Sequence, residues 1–497
     1  MRGQPPKQGG KRRRSSRPDL LGGLFDPIDI ASLVYFRIAF GAIMLWEVWR
    51  YLSMGRIARY YLEPAFLFTY LGFDWVRPWP GDGMYLHFYA LGVLSVFIMV
   101  GFLYRLSATL FFLGFTYVFL LDQTQYLNHF YFVSLVAFLM ILVPAHRSLS
   151  VDGWMRGRAW RSSTAPAWSL WILRAQMGFV YFFAGVAKLN GDWLRGYPLR
   201  DWLADAAHLP VIGPHMTEAW VAVPMSWGGL LLDLFVVPAL LWRKTRPYAF
   251  AASLGFHLMN AVIFHIGIFP WFSIAATLLF FDPDWPRRLL RRPRLQIDER
   301  TSGSALGLRE RATLALVGLY VVIQVLLPLR HFLYPGNASW TEDGHRFAWH
   351  QKLRSKDGWV RFLAIDPSTG ESWEIDVRRF LTARQYRKMA DRPYMILQLA
   401  HHLADLAAEQ GKPRIEVRVS AMSSLNGREI QPLIDPTVDL AAQPRTFFAP
   451  YRWIVPLEVP LEAQWDGKSP PTHPVAIALI EKHRDRFRAQ LKERLAE

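Results

Sequence analysis

Lys188 is the residue of this 497-residue chain whose type and setting best fit chemistry. It is the only lysine between Lys11 and Lys244, an interval that otherwise takes its positive charge from arginine. Arginine cannot give up its proton, whereas a desolvated lysine can, and can then act as a base. Lys188 follows the apolar stretch Phe179–Ala187, so a snorkelling lysine at a helix end is the alternative reading. Asn128 and His129 open a second apolar stretch. A histidine can shuttle a proton or stabilise an oxyanion, and an adjacent amide can donate a hydrogen bond; an interfacial polar pair is the alternative. His257 lies in a third stretch, with Asn260 three residues on and on the same helix face. A buried, hydrogen-bonded histidine is the alternative there. Arg37, Glu47, Arg174 and Asp233 also interrupt apolar runs, and read as structural charges with partners on other helices.

The elements that must position these residues are membrane helices. The chain is 52% hydrophobic and 20% charged, and the apolar runs concentrate in residues 30–335, which excludes a soluble globular protein and a disordered one. Nine apolar segments approach the ~20 residues needed to cross a bilayer. They cover about 30–52, 85–103, 106–121, 127–143, 168–187, 220–241, 247–266, 269–281 and 312–333. The third and eighth are the shortest. The expected fold is therefore a multi-pass α-helical membrane protein of about nine transmembrane helices, with a C-terminal extracytoplasmic α+β, β-rich domain. Residues 1–24 read as a disordered basic tail, 25–335 as the transmembrane catalytic domain, and 336–497 as the soluble domain with a C-terminal helical tail.

Positive charge sets the orientation. Loops 144–167, 242–246 and 282–311 are arginine-rich, and a cytoplasmic N-terminus puts all three inside. Loops 53–84, 122–126, 188–219 and 267–268 then fall outside, together with the C-terminal region. This topology brings Lys188 and His129 to one membrane face with His257 below it. In the soluble part, Trp359–Ile365, Glu371–Val377, Ile415–Ser420 and Phe447–Val455 read as strands, and 383–409 reads as a helix ending before Gly411.

The net charge of +17 reads as topology determinants and attraction to anionic membrane lipid, with no nucleic-acid partner. The absence of cysteine excludes thiol nucleophiles, disulfides and iron–sulfur clusters. The histidines form no metal-binding box, and no metal is expected. No phosphate loop or nucleophile elbow is present.

Several blocks carry a family resemblance. They are Tyr126-Leu-Asn-His-Phe130, Ser150-Val-Asp-Gly153, Val180-Tyr-Phe-Phe-Ala-Gly-Val-Ala-Lys-Leu-Asn-Gly-Asp-Trp193, Gly228-Gly-Leu-Leu-Leu-Asp-Leu234, Phe256-His-Leu-Met-Asn260, Asp284-Trp-Pro286, His331-Phe-Leu333 and Ile434-Asp-Pro-Thr-Val-Asp439. In this order they resemble the vitamin K-dependent γ-glutamyl carboxylase family, whose membrane part is the horizontally transferred transmembrane (HTTM) domain. The resemblance covers roughly 25–455. It implies that a reduced naphthoquinone, reduced vitamin K, is deprotonated and reacts with O2. The strong base so formed takes a γ-proton from a glutamate in a peptide or protein. The carbanion adds CO2, and the quinone leaves as its epoxide. By the same resemblance Lys188 falls at the initiating base, Asn128 and His129 at the oxyanion-stabilising pair, and His257 at a further active-site histidine. Tyr181 and Asn260 are then expected to bind the lipid-soluble quinol. The chain departs from animal members in having Ala187 before Lys188, where they carry two lysines, and in lacking cysteine. An arginine-rich, cysteine-free sequence points to a bacterial inner-membrane protein (the ER membrane if eukaryotic). Quinol epoxidation without carboxylation and membrane transport are the competing readings, with a membrane scaffold behind them.

Overall fold

The computed structural model describes residues 21–208, 210, 213–264, 266–296, 306–412, 415–447 and 450–461. Most of the expected N-terminal tail and the expected C-terminal helical tail lie outside the described residues. Residues 21–24, assigned to the tail from sequence, run into a short 3-10 turn, Gly22–Phe25.

Each of the nine apolar segments forms a helix. They are α1 (Ala31–Ser53), α2 (Gly83–Val100), α3 (Tyr104–Leu120), α4 (Asn128–Leu142), α5 (Trp168–Lys188), α6 (Ala219–Leu241), α7 (Arg246–Phe264), α8 (Phe269–Thr277) and α9 (Leu308–Leu329). Among the described residues six helices are long and apolar enough to cross a membrane. Three are shorter: α3, α4 and the α8 stretch, which reaches Phe280. The chain is thus a multi-pass membrane protein. The main pairings are α2 with both α1 and α3, α3 with α4, α5 with α6, and α7 with both α6 and α8.

The loops sort to two ends. At one end the basic loops meet: Arg287 pairs with Asp29 at 2.7 Å, and Arg243 and Arg246 both pair with Asp282 at 2.9 Å. At the other end the remaining loops meet the C-terminal domain. Arg445 pairs with Asp74 at 2.8 Å, the Gln385 amide donates to the Phe66 carbonyl at 2.7 Å, and Arg428 grips Asp192 through two nitrogens at 2.7 Å each.

A short two-stranded antiparallel ribbon, β1 (Pro27–Asp29) with β2 (Thr164–Pro166), closes the basic end. The C-terminal domain is an antiparallel sheet in the order β4-β3-β5-β6: β3 (Lys356–Ile365), β4 (Ser372–Ile375), β5 (Glu416–Leu425) and β6 (Gln431–Pro432). Its core is built on the buried Trp340, Phe362, Val417 and Val419 together with Ile396, Leu399 and Leu403 of the helix Pro393–Glu409.

Two expectations are corrected here. The stretch 383–409 is two helices, α10 (Ala383–Met389) and α11 (Pro393–Glu409). Pro393 disfavours helical backbone at Arg392, which is extended, and starts the second helix instead. Phe447–Val455 is not a strand; one bridge, Ile454 to Ile434, is what forms among its described residues. Pro450 has no N–H to give a ladder.

Candidate active site

Two helices bring the central pair together. Lys188 ends α5 and Asp233 sits mid-way along α6. Their contact needs a close approach of the two helices, and Gly185 permits it. A Cβ at Gly185 would stand 2.7 Å from Leu234 Cδ2 and 3.1 Å from the Leu234 backbone nitrogen. Lys188 Nζ lies 2.5 Å from Asp233 Oδ2, with both residues about 5% exposed. The indole of Trp193 lies 5.1 Å from the ammonium, and is fixed by a 2.8 Å hydrogen bond from its Nε1 to the Ser226 carbonyl. Asp233, read from sequence as a charge with a partner on another helix, has Lys188 as that partner.

Gly185→Val is expected to part α5 and α6 and lengthen the Lys188–Asp233 contact. A bulky insertion into a close-packed contact typically costs about 1–3 kcal/mol. A lowered unfolding midpoint in detergent, with Gly178→Val as the control on the same helix, checks this; Gly178 has 3.7 Å of clearance to Val237.

The pair lines an apolar cavity between α5, α6, α7 and α8, walled by Met177, Val180, Met225, Phe256 and Phe269 among others. Tyr181, His257 and Asn260 line the same cavity. The Tyr181 hydroxyl is hydrogen-bonded to His257 Nε2 at 2.7 Å and to Ser253 Oγ at 3.1 Å. That leaves His257 Nδ1 without a partner, and Ser273 Oγ on α8 is also buried and without one. The cavity therefore has apolar walls, an ion pair, and two unspent polar atoms from α7 and α8. A flat aromatic diol suits such a space: its faces are apolar and its two hydroxyls need partners. Ser273 was missed by sequence reasoning. A serine inside an apolar run was the available signal, since such a group is costly in a membrane unless it is used.

Asn128 and His129 do not line this cavity. They face an adjoining polar chamber of about 500 Å³. Phe269 stands at the divide, 5.9 Å from the His129 ring and 5.8 Å from the His257 ring by centroids. The Asn128 amide donates to the His350 carbonyl at 3.0 Å, and its oxygen accepts from the Tyr126 hydroxyl at 2.9 Å. Asn128 thus ties the start of α4 to the segment that carries His345 and His350.

The chamber is lined by Arg346, Lys352, Arg354, Lys356, Lys388 and Arg392 against the single carboxylate of Asp391. Sequence reasoning missed all of these. Burial, then the neighbouring His331, Arg330 and Lys188, holds His350 down at about 3, so it is neutral. Arg392, together with burial, pulls Lys388 down to about 7. Lys388 is charged below that pH and neutral above it. The chamber therefore loses a positive charge as pH rises through 7, and its affinity for an acidic peptide is expected to fall severalfold between about pH 6 and 8. Lys388→Arg should flatten that profile, because arginine stays charged. Peptide-binding titrations across this range check it. Among the described residues no group of three or more His, Cys, Asp or Glu side chains could hold a metal ion.

The helical membrane part, with its site at the end facing the C-terminal domain, defines an HTTM-domain protein: the HTTM domain matches residues 25–285. Residues 309–459 match the lumenal domain of vitamin K-dependent gamma-carboxylase. The chain belongs to the vitamin K-dependent gamma-carboxylase family, and is a gamma-carboxylase-like membrane protein. No solved structure matches it.

Proposed function

We propose that the chain is a quinol-coupled γ-glutamyl carboxylase, which joins oxygenation of reduced vitamin K to its epoxide with carboxylation of glutamate in a peptide. The observation that carries this reading is the buried Lys188–Asp233 pair, in an apolar cavity that adjoins a cationic chamber. When bound, reduced vitamin K supplies, on reaction with O2, the base strong enough to remove a γ-proton. The chain's own task is to receive the first proton. Lys188 Nζ donates to Asp233 Oδ2, so the carboxylate stands where it can take up that proton. With that proton on Asp233, the Lys188 lone pair is free. The O–H bond of a bound hydroxyl breaks and an N–H bond forms, leaving an ammonium beside a neutral carboxylic acid. The apolar walls exclude water from this transfer, which strengthens each charge interaction. His257 Nδ1 and Ser273 Oγ are available to the other hydroxyl. Asn128 and His129, on the chamber side, act on the acceptor glutamate rather than on Lys188. CO2 enters without a binding motif.

The basic end of the helices lies in the cytoplasm in this reading, and the C-terminal domain outside, in a bacterial inner membrane. Protease added from the outside should cleave the C-terminal domain; cleavage from the cytoplasmic side alone would reverse the orientation. The activity test is one reaction in nanodiscs with reduced vitamin K, O2, labelled bicarbonate and a glutamate-rich peptide. Epoxide together with peptide-bound label supports the carboxylase. Epoxide with no label on any acidic peptide reduces the assignment to a quinol oxygenase, and neither product removes it.

A further inference from the structure

Lys352 belongs to both spaces: it lines the apolar cavity and the cationic chamber, as do Gln351 and Trp202. Its ammonium lies 4.5 Å from the centroid of the Trp202 ring and 4.8 Å from that of Phe264. Both rings also line the apolar cavity. Of the other cations of the chamber, all but Lys388 are engaged within the chain, Arg346 with the Gln123 amide oxygen. Arg354 pairs with Glu342, Lys356 donates to the Trp340 carbonyl at 2.6 Å, and Arg392 pairs with Asp391 at 3.2 Å. Among the described residues Lys352 has no ion pair and no hydrogen bond; Asp205 acts on it only from a distance. Two positions before it, the buried His350 has neither ring nitrogen partnered.

An ammonium resting on aromatic faces is desolvated without being neutralised. The attraction of a ring quadrupole is weaker than a charge-assisted hydrogen bond to a carboxylate. A carboxylate that reaches this junction therefore takes the ammonium over from the rings, and a neutral amide gains far less. His350, neutral and unspent, offers a second donor beside it.

We propose that Lys352 receives the γ-carboxylate of the acceptor glutamate in the cationic chamber and holds it at the entrance to the cavity of Lys188, with His350 as the second donor. Lys352 is then the residue that selects glutamate over glutamine. This inference rests on the carboxylase reading, and its test does not depend on turnover.

The test uses the full chain in nanodiscs and a labelled peptide with one central glutamate, alongside its glutamine twin, followed by fluorescence polarisation. Wild type should bind the glutamate peptide about tenfold or more tighter, the scale of one charged hydrogen bond. Lys352→Gln should bring glutamate affinity down to that of glutamine and leave glutamine binding unchanged. Lys352→Met, similar in length and suited to the aromatic surroundings, should do the same if the glutamine variant folds poorly. The proposal is overturned by a wild type without the preference, by a methionine variant that keeps it, or by equal loss for both peptides. Failure of the carboxylase reading looks different. Wild type would then make neither epoxide nor labelled peptide, while the Lys352-dependent preference for glutamate persists.

Discussion

Replacing Lys188 by alanine is expected to cut quinol-dependent epoxide formation by about 10²–10⁴-fold, the range a positioned general base supplies. The amine is the one basic nitrogen in the apolar cavity that is aliphatic and paired with a carboxylate able to hold the proton it must first shed. Lys188→Arg separates chemistry from architecture. A guanidinium can keep an ion pair with Asp233, so this variant should fold, but it has no neutral form and should be as inactive as alanine. The initial rate of epoxide formation, measured beside the unfolding midpoint of each variant, checks both halves. Turnover within about tenfold of wild type in either variant would remove Lys188 from the role of base.

The helices were legible because their signal is local. A run of apolar residues near span length has few other outcomes, so all nine segments appear as helices at nearly the expected limits. The sorting of the loops into two sets was legible for the same reason. The arginine-rich loops do meet one another, and the loops assigned to the opposite side carry Phe66, Asp74 and Asp192 onto the C-terminal domain. Within the soluble domain, β3, β4 and β5 fall on three of the four predicted runs. The fourth failed because a hydrophobic run bounded by proline carries apolar burial without the backbone donors a ladder needs.

The site was legible as single residues and not as contacts. Lys188 stood out by its type, but Asp233 was one of four intramembrane charges with no way to choose among them. Its partner is settled by the α5–α6 approach at Gly185, and a helix crossing is not written in either helix alone. The cationic chamber was hidden more deeply. Its residues come from the segment before β3 and from the break between α10 and α11, and these meet because Gly358 at the start of β3 leaves no room for a Cβ: one would stand 2.4 Å from the Ala390 carbonyl oxygen. Arg354 and Lys388 are unremarkable in sequence, since lysines and arginines of a soluble domain ordinarily face water. The division of the expected cluster into two spaces follows from Phe269, an aromatic in a helix too short to have drawn notice as a wall.

Asp233 carries the second large effect. Asp233→Ala leaves the Lys188 charge buried without a counterion, and removing one member of a buried pair typically costs about 3–5 kcal/mol. The unfolding midpoint should drop sharply and turnover should vanish. Loss of turnover there is ambiguous on its own, because an unstable protein is also inactive. The double variant Lys188→Met, Asp233→Leu resolves stability: an apolar pair of similar volume often restores what the single change loses, and this one should refold with no turnover. Asp233→Asn resolves chemistry. It keeps a hydrogen-bond acceptor for the ammonium at nearly the same volume but cannot take up a proton. If the carboxylate only positions Lys188, the asparagine variant should keep much of the wild-type rate wherever it folds. If passing a proton to Asp233 is what frees the Lys188 lone pair, the variant should fold and turn over as poorly as Lys188→Ala, and that is the expected outcome. A well-folded, active Asp233→Asn would leave Lys188 as the base and reduce its partner to a structural anchor.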